Sequence, residues 1–249
     1  MTQILNAIEG GGKTLAPTFA FIDPFGFKGL PLALVARIVG HPSCECLVSL
    51  MYEDINRFIA HPDAAIQAHY DELFGTDEWR AIITLTDPEK RKDRIVSLYR
   101  AQLQKVGGLS YVRTFEMVNE GNRTEYFLFY GTNSKRGLSK MKEVMWRADP
   151  VAGQAFSDRS VSDQGVLFEP EADTTPLRRQ LQTRFRGKGM IPIEEVSDFV
   201  LEVTAFSELI HLKRKTLAPM ENEGLLEARH PSRTRRRGTF PDYTEIRFL

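Results

Sequence analysis

The residues whose types and spacing could do chemistry begin with Asp23, Asn56 and Arg57. Phe19-Ala20-Phe21-Ile22 reads as a short buried strand, of a kind that belongs in the middle of a sheet, and Asp23-Pro24-Phe25-Gly26 stops it. Proline cannot donate to a sheet ladder, and glycine permits the turn. Ligands of open α/β sheets bind outside the carboxyl ends of the strands, so a site residue would sit at Asp23, with Phe25 beside it. The alternative is an Asx-type turn that only ends a strand. A second strand, Cys46 to Met51, leads into a helix from Tyr52 to Ala60, which brings Asn56 and Arg57 near the same edge. Arg57 could grip a phosphate or carboxylate with two N–H groups. The plainer reading is a solvated or helix-capping pair. Asn133 and Arg136, around the turn after a later strand, could line the edge of the same site or form a polar turn.

A second set of residues is basic. Lys213, Arg214 and Lys215 fall on one helix, and Arg233, Arg235, Arg236 and Arg237 fall in a hairpin tip. Such residues contact phosphates and give salt-sensitive, largely sequence-independent affinity for nucleic acid. Net charge is zero, but residues 173–249 carry 14 Lys+Arg against 11 Asp+Glu, a mild local excess of +3. Glu221, Glu223 and Glu227 are expected to dilute that field.

Other candidate chemistry is weaker. Gly10-Gly11-Gly12-Lys13-Thr14 has the end of a phosphate-binding loop, but Ala7 stands where its first glycine belongs. Cys44 and Cys46, read as pointing to opposite faces of a strand, find no His or Cys cluster to complete a tetrahedral set, so no metal site is expected. The five histidines show no ligand or triad spacing. A metal-dependent hydrolase built on Asp23 lacks a second acidic ligand. Hydrophobic residues make up 42% of the 249 and charged residues 27%, ordinary for a globular chain, and no apolar run approaches the ~20 residues that span a bilayer. With no basic n-region before an apolar core, the expected compartment is the cytoplasm.

Hydrophobic periodicity supplies the elements that would position these residues. The first 150 read β–α–β–α–α–β–β–α, with a strand–helix–strand unit implying parallel pairing and an antiparallel hairpin of 111–118 with 125–130. This matches the second half of a class I methyltransferase-like, Rossmann-like α/β sheet with an antiparallel C-terminal hairpin. The glycine-rich turn and acidic ribose-binding residue of the first half do not occur upstream of Asp23. Residues 151–172 read as a linker with a short strand at 166–168. Residues 173–249 read as helix, short strand, helix, helix and two-stranded wing, the winged-helix order.

Several of these segments also resemble a family. The Asp23-Pro24-Phe25 turn resembles the (Asp/Asn)-Pro-Pro-(Tyr/Phe) turn of amino-methyltransferases, in which the acidic or amide group accepts from the target amine and the aromatic stacks on the base. Phe21-Ile22-Asp23-Pro24-Phe25-Gly26, Ile55-Asn56-Arg57-Phe58, Phe74-Gly75-Thr76 with Trp79, Gly131-Thr132-Asn133 with Arg136-Gly137-Leu138, Lys140-Met141-Lys142, Met145-Trp146, and Gly187-Lys188 with Thr204 and Phe240-Pro241 together resemble the three-Cys-motif partner protein family, TcmP. The resemblance implies a bacterial methyltransferase-fold protein with a C-terminal winged helix, paired with a three-Cys-motif radical-S-adenosylmethionine-like protein. Longer members carry a Tyr-x-Asp-x-Phe-Ala-Gly-x-Gly-type segment ahead of the Asp-Pro-Phe-Gly motif, which this sequence lacks. The expectation is therefore a truncated, split or degenerate copy. It would bind S-adenosylmethionine only if the missing half is supplied, and it would act on or bind nucleic acid without being catalytically complete alone. The alternative is a non-catalytic DNA- or protein-binding module. An exposed sheet edge, where further strands would pair, is expected to invite a partner or self-association.

Overall fold

A computed structural model of the chain describes residues 1–24, 26, 31–157 and 171–249. Phe25 and the strand expected at 166–168 lie outside the described residues. The chain divides into two compact units, one of residues 1–134 with the strand Ala155–Ser157, the other of residues 135–154 and 171–249.

The first unit is a mixed five-stranded sheet with its helices. In chain order it holds α1 (Thr2–Gly10), β1 (Thr18–Ile22), α2 (Leu32–Val39), β2 (Cys44–Leu50), α3 (Tyr52–Phe58), α4 (Ala64–Phe74), a 3-10 helix (Glu78–Thr84), α5 (Pro88–Lys105), β3 (Tyr111–Val118), β4 (Thr124–Thr132) and β5 (Ala155–Ser157). The strand order is β1-β2-β4-β3-β5. β1 runs parallel to β2 and β3 parallel to β5, and β4 lies antiparallel between β2 and β3. Side chains alternate across a strand, so the register puts Ala20, Cys46 and Gly131 on one face, then Ile22, Val48 and Phe129, then Leu50 and Phe127. The apolar stripes of α2, α4 and α5 close on that face through Leu32, Val35, Leu73, Phe74, Leu98 and Tyr99. Asp63 and Asp87 cap α4 and α5 by accepting the first unpaired N–H groups, and Gly75 at φ +61° ends α4.

Two expectations change here, and the glycine run finds its place. β1 is an edge strand among the described residues, not a central one. Ala20 and Ile22 pack on the core, while Phe19 and Phe21 stand 53% and 60% exposed. Cys44 and Cys46 share one buried face, as residues two apart in a strand must, rather than opposite faces. The glycine run follows a helix instead of preceding one. Gly12 takes φ +64° and the Lys13 N–H donates to Ile8 O at 3.0 Å, which closes the C-terminus of α1 and gives no phosphate loop.

The second unit begins with α6 (Lys135–Ala148), a helix that the sequence assigns to the end of the first domain. Then come α7 (Thr175–Phe185), β6 (Ile191–Pro192), α8 (Ile193–Val203), a π-helical turn series (Glu208–Leu217) continuous with α9 (Ala218–Asn222), β7 (Leu226–Arg229) and β8 (Glu245–Phe248). The small sheet is antiparallel in the order β6-β8-β7. Leu177, Leu181, Phe185, Val196, Val200, Leu217, Ile246 and Phe248 fill the core between helices and sheet.

The join between α6, α8 and the π-helical segment is polar and buried. Lys142, 2% exposed, donates from Nζ to Val200 O, Leu201 O and Thr204 O at 2.8, 2.9 and 3.1 Å. These are carbonyls at the end of α8 that helix geometry leaves without partners, at the pole where a cation is favoured. Trp146, one turn on, donates to Ala205 O at 2.9 Å and stacks on Phe206. Gly153 is required beneath it, because a Cβ there would fall 2.5 Å from the indole. His211 packs 4.2 Å from the Trp146 ring, and burial pulls its pKa down from 6.5 to about 4, against a backbone hydrogen bond to Ser207 that works the other way.

Two outcomes follow from that join. Lys142→Met should destabilise the second unit by about 3 kcal/mol in urea unfolding, since it strands buried carbonyls. For His211, the unfolded chain binds a proton between pH 6.5 and 4 that the folded chain does not. Its contribution, about 3 kcal/mol, is complete above pH 6.5 and is lost as pH falls toward 4. The wild-type urea midpoint should therefore fall more steeply over that interval than the midpoint of His211→Asn.

Candidate functional site

Asp23 directly follows β1 and is solvent-exposed. The turn after it reaches α3: Gly26 takes φ +73°, and a Cβ there would lie 3.3 Å from Asp54 Oδ2. Among the described residues this approach is what joins the Asp23 turn to the helix carrying Asn56 and Arg57. Asn56 is half-buried, and its Oδ1 is buried without a donor. Arg57 is exposed and pairs with Glu53 on the next turn at 3.2 Å. A pair of that kind contributes a few tenths of a kcal/mol and leaves the guanidinium in water. Asn133 holds a structural bond, its Oδ1 accepting from the Ser110 N–H at 2.7 Å and tying the turn before β3 to the end of β4. Arg136 is exposed on α6 and belongs to the other unit.

The basic residues of the second unit divide into two kinds. Arg235 is structural. Its side chain is 7% exposed and pairs with Glu221, itself 9% exposed. Its Nε donates to Ala228 O at 3.0 Å, its Nη1 donates to Thr239 O at 2.7 Å, and its guanidinium lies 5.1 Å from the Phe240 ring centre. Burial, with the charge of Arg237, lowers its pKa, yet it remains a cation at any ordinary pH. Glu221 also accepts the Gly238 N–H at 2.7 Å, and Arg237 donates to Glu221 O at 2.6 Å. The expectation that Arg235 contacts nucleic acid is corrected: its donors are consumed inside the protein, and Arg237 has committed one of its own.

Arg233 and Arg236, in the same loop, are exposed and have no ion-pair partner among the described residues, and neither has Arg214. Lys213 lies 3.9 Å from Asp242 and Lys215 3.7 Å from Glu171, both weak surface pairs. The Lys213–Asp242 contact sets the π-helical segment beside the base of the loop between β7 and β8. The three glutamates expected to weaken the positive field are neutralised locally. Glu221 is taken by Arg235, Glu223 by Arg178 and Glu227 by Arg247. Sequence reasoning missed the role of Glu221, because nothing local separates it from Glu223 two residues on at the end of the same helix.

No group of three or more His, Cys, Asp or Glu able to hold a metal ion occurs among the described residues, and burial pushes the Cys46 thiol up to about 12. No described helix is long and apolar enough to cross a membrane. No family model, curated protein or solved structure matches the chain.

Breaking a buried ion pair strands a charge, whereas an exposed arginine is replaced at little cost. Arg235→Gln should lower unfolding free energy by about 3–5 kcal/mol, and Arg236→Gln should change it by less than about 0.5 kcal/mol, both measured by urea denaturation.

Proposed function

We propose that the chain is a nucleic-acid-binding protein whose second unit is a winged helix, joined to a methyltransferase-like sheet that is not a complete catalyst by itself. The observation that carries the reading is the division of the loop arginines. Arg235 is spent on holding the β7–β8 loop in shape, and Arg233 and Arg236 project from that loop into water with Arg214 exposed on the π-helical segment. In a winged helix the third helix enters the major groove and the wing meets the backbone. The element order α7–β6–α8–helix–β7–β8 and the sheet order β6-β8-β7 support that fold.

The arrangement β1-β2-β4-β3, with β4 antiparallel between parallel neighbours, supports the methyltransferase-like reading of the first sheet. The residues present do not fit S-adenosylmethionine. A helix and its C-terminal glycine turn precede β1, and no strand, glycine turn and helix cradle a nucleotide there. Asp23 is accordingly a substrate-facing residue in this proposal, with Asn56 nearby, and no step is routed through a cofactor. The resemblance to the three-Cys-motif partner proteins supports pairing with a radical-S-adenosylmethionine-like protein. A second reading, a non-catalytic interaction module, draws on Phe19 and Phe21, exposed on β1, which is an edge strand among the described residues.

The test is fluorescence anisotropy with a labelled 20-base-pair duplex. Three phosphate contacts predict that affinity falls about 40-fold between 50 and 200 mM NaCl. The triple variant Arg214→Gln, Arg233→Gln, Arg236→Gln should flatten that salt dependence and weaken binding at 50 mM. Absence of binding at 50 mM NaCl, or a variant that binds like the wild type, overturns the nucleic-acid reading in favour of the interaction module.

A further inference from the structure

A cavity of about 300 Å³ lies in the first unit between α5 and the sheet. Its helical wall is the stripe Lys92, Val96 and Arg100, spaced four residues apart, with the exposed Asp93 and Ser97 beside it, and its floor is Glu116 of β3 and Phe127 of β4. Glu116 and Phe127 are register partners and point the same way. Thr114, two residues back along β3, shares their face.

Among the charges that line this cavity, Asp93 is exposed to water, Lys92 and Glu116 pair with each other, and the half-buried Arg100 stands apart. Glu116 accepts from Lys92 Nζ at 3.3 Å and from the Thr124 hydroxyl, and Lys92 also meets Glu89 at 3.1 Å. Arg100 meets no carboxylate among the described residues. Its Nη2 donates to the neutral Thr114 Oγ1 at 2.5 Å, and its Nε is buried without a hydrogen-bond partner among the described residues. Burial alone lowers its pKa, and its charge in turn helps lower that of Arg113, so its field reaches a second cation. Arg57, Arg80 and Arg94, exposed elsewhere in the unit, each find an acid, as Arg80 finds Asp71 at 2.7 Å.

A half-buried guanidinium held by one hydroxyl is a costly arrangement unless an anion completes it. Its planar fork matches the oxygens of a carboxylate or phosphate, and Thr114 fixes the plane. We propose that the cavity between α5 and the β3–β4 face is a binding site for a small oxyanion, a phosphate or carboxylate head group, gripped by Arg100, with Lys92 neutralising the Glu116 carboxylate on the floor. Phe127 closes the floor with an apolar surface and is braced by the edge of Tyr52, 5.8 Å between ring centres. The site is independent of the basic loop in the other unit and does not rest on the nucleic-acid reading.

The test uses the full chain, with inorganic phosphate and acetate titrated separately at constant ionic strength by isothermal titration calorimetry. At least one of them should bind the wild type in the millimolar range or tighter, and which one does identifies the head group. Arg100→Gln should weaken that binding tenfold or more, while Arg80→Gln leaves it unchanged. Should Arg100→Gln fail to fold, Thr114→Val and Lys92→Gln carry the test, each weakening binding about threefold, by loosening the grip or by baring the Glu116 carboxylate. Heat that neither anion produces beyond a sodium chloride control overturns the site. So does affinity in Arg100→Gln equal to the wild type, or in both substitutes if it does not fold, because the anion is then held elsewhere.

Discussion

The interaction on which the second unit depends is the buried ammonium of Lys142 against the carbonyls that end α8. A charge taken out of water is tolerated only where it is fully hydrogen-bonded, and three carbonyl oxygens at the negative pole of a helix meet that condition. The consequence is geometric. With α8 pinned at its end, the chain leaves through Thr204, whose hydroxyl donates to Val200 O and accepts from the Phe206 N–H. Phe206 is then delivered to the face of Trp146, and His211 to its side. The π-helical segment that carries Lys213, Arg214 and Lys215 starts from that anchor, so a lysine on α6 orients a basic surface it does not belong to.

The arginines of the β7–β8 loop show how identical side chains acquire different work. A 15-residue connection between two four-residue strands has little apolar surface with which to order itself. It is ordered by Arg235, which reaches back to the carbonyls of Ala228 and Thr239 and to Glu221 at the end of α9. Once Glu221 is satisfied by Arg235 and by the Gly238 N–H, it no longer offsets the charge of Arg233 and Arg236. The loop is therefore better ordered than its apolar content allows, and Arg233 and Arg236 are left exposed within it. A desolvated pair of this kind is worth little as net stability, but its geometry is specific.

Much of the element order was legible because it rests on local signals. Asp63 and Gly75 bracket α4, Asp87 and Pro88 open α5, and the hairpin read at 111–118 and 125–130 survives as β3 and the slightly longer β4. The failures share one cause, which is that they concern which long-range neighbour a residue acquires. Phe19 and Phe21 look buried by composition, and only the packing shows that Ala20 and Ile22 take the core face of β1 and the described residues leave the other face largely open. The helix at 135–148 follows β4 closely in the chain yet packs with α8 through Lys142, a contact 58 residues away. Arg235 cannot be told from Arg236 until Glu221 is placed. The Asp23 turn was legible as a strand end, whereas its approach to Asp54 depends on the positive φ of Gly26.

That turn also bounds what the first sheet can do chemically. A carboxylate acts strongly where water is excluded, and Asp23 and Arg57 both face water, where a charge pair at 4 Å is worth about 1 kcal/mol. Polar atoms withdrawn from water lie elsewhere on the same unit, among them Asn56 Oδ1 on α3, Tyr99 Oη and Arg100 Nε on α5, and His41 Nε2. Electrostatic leverage in this sheet is therefore concentrated between α5 and β3–β4, beside the end of β2, more than at the tip of β1. For Asp23 to act on a substrate, a surface that covers β1 must first remove the water around it. The exposed faces of Phe19 and Phe21 supply apolar area beside that carboxylate on which such a surface would rest.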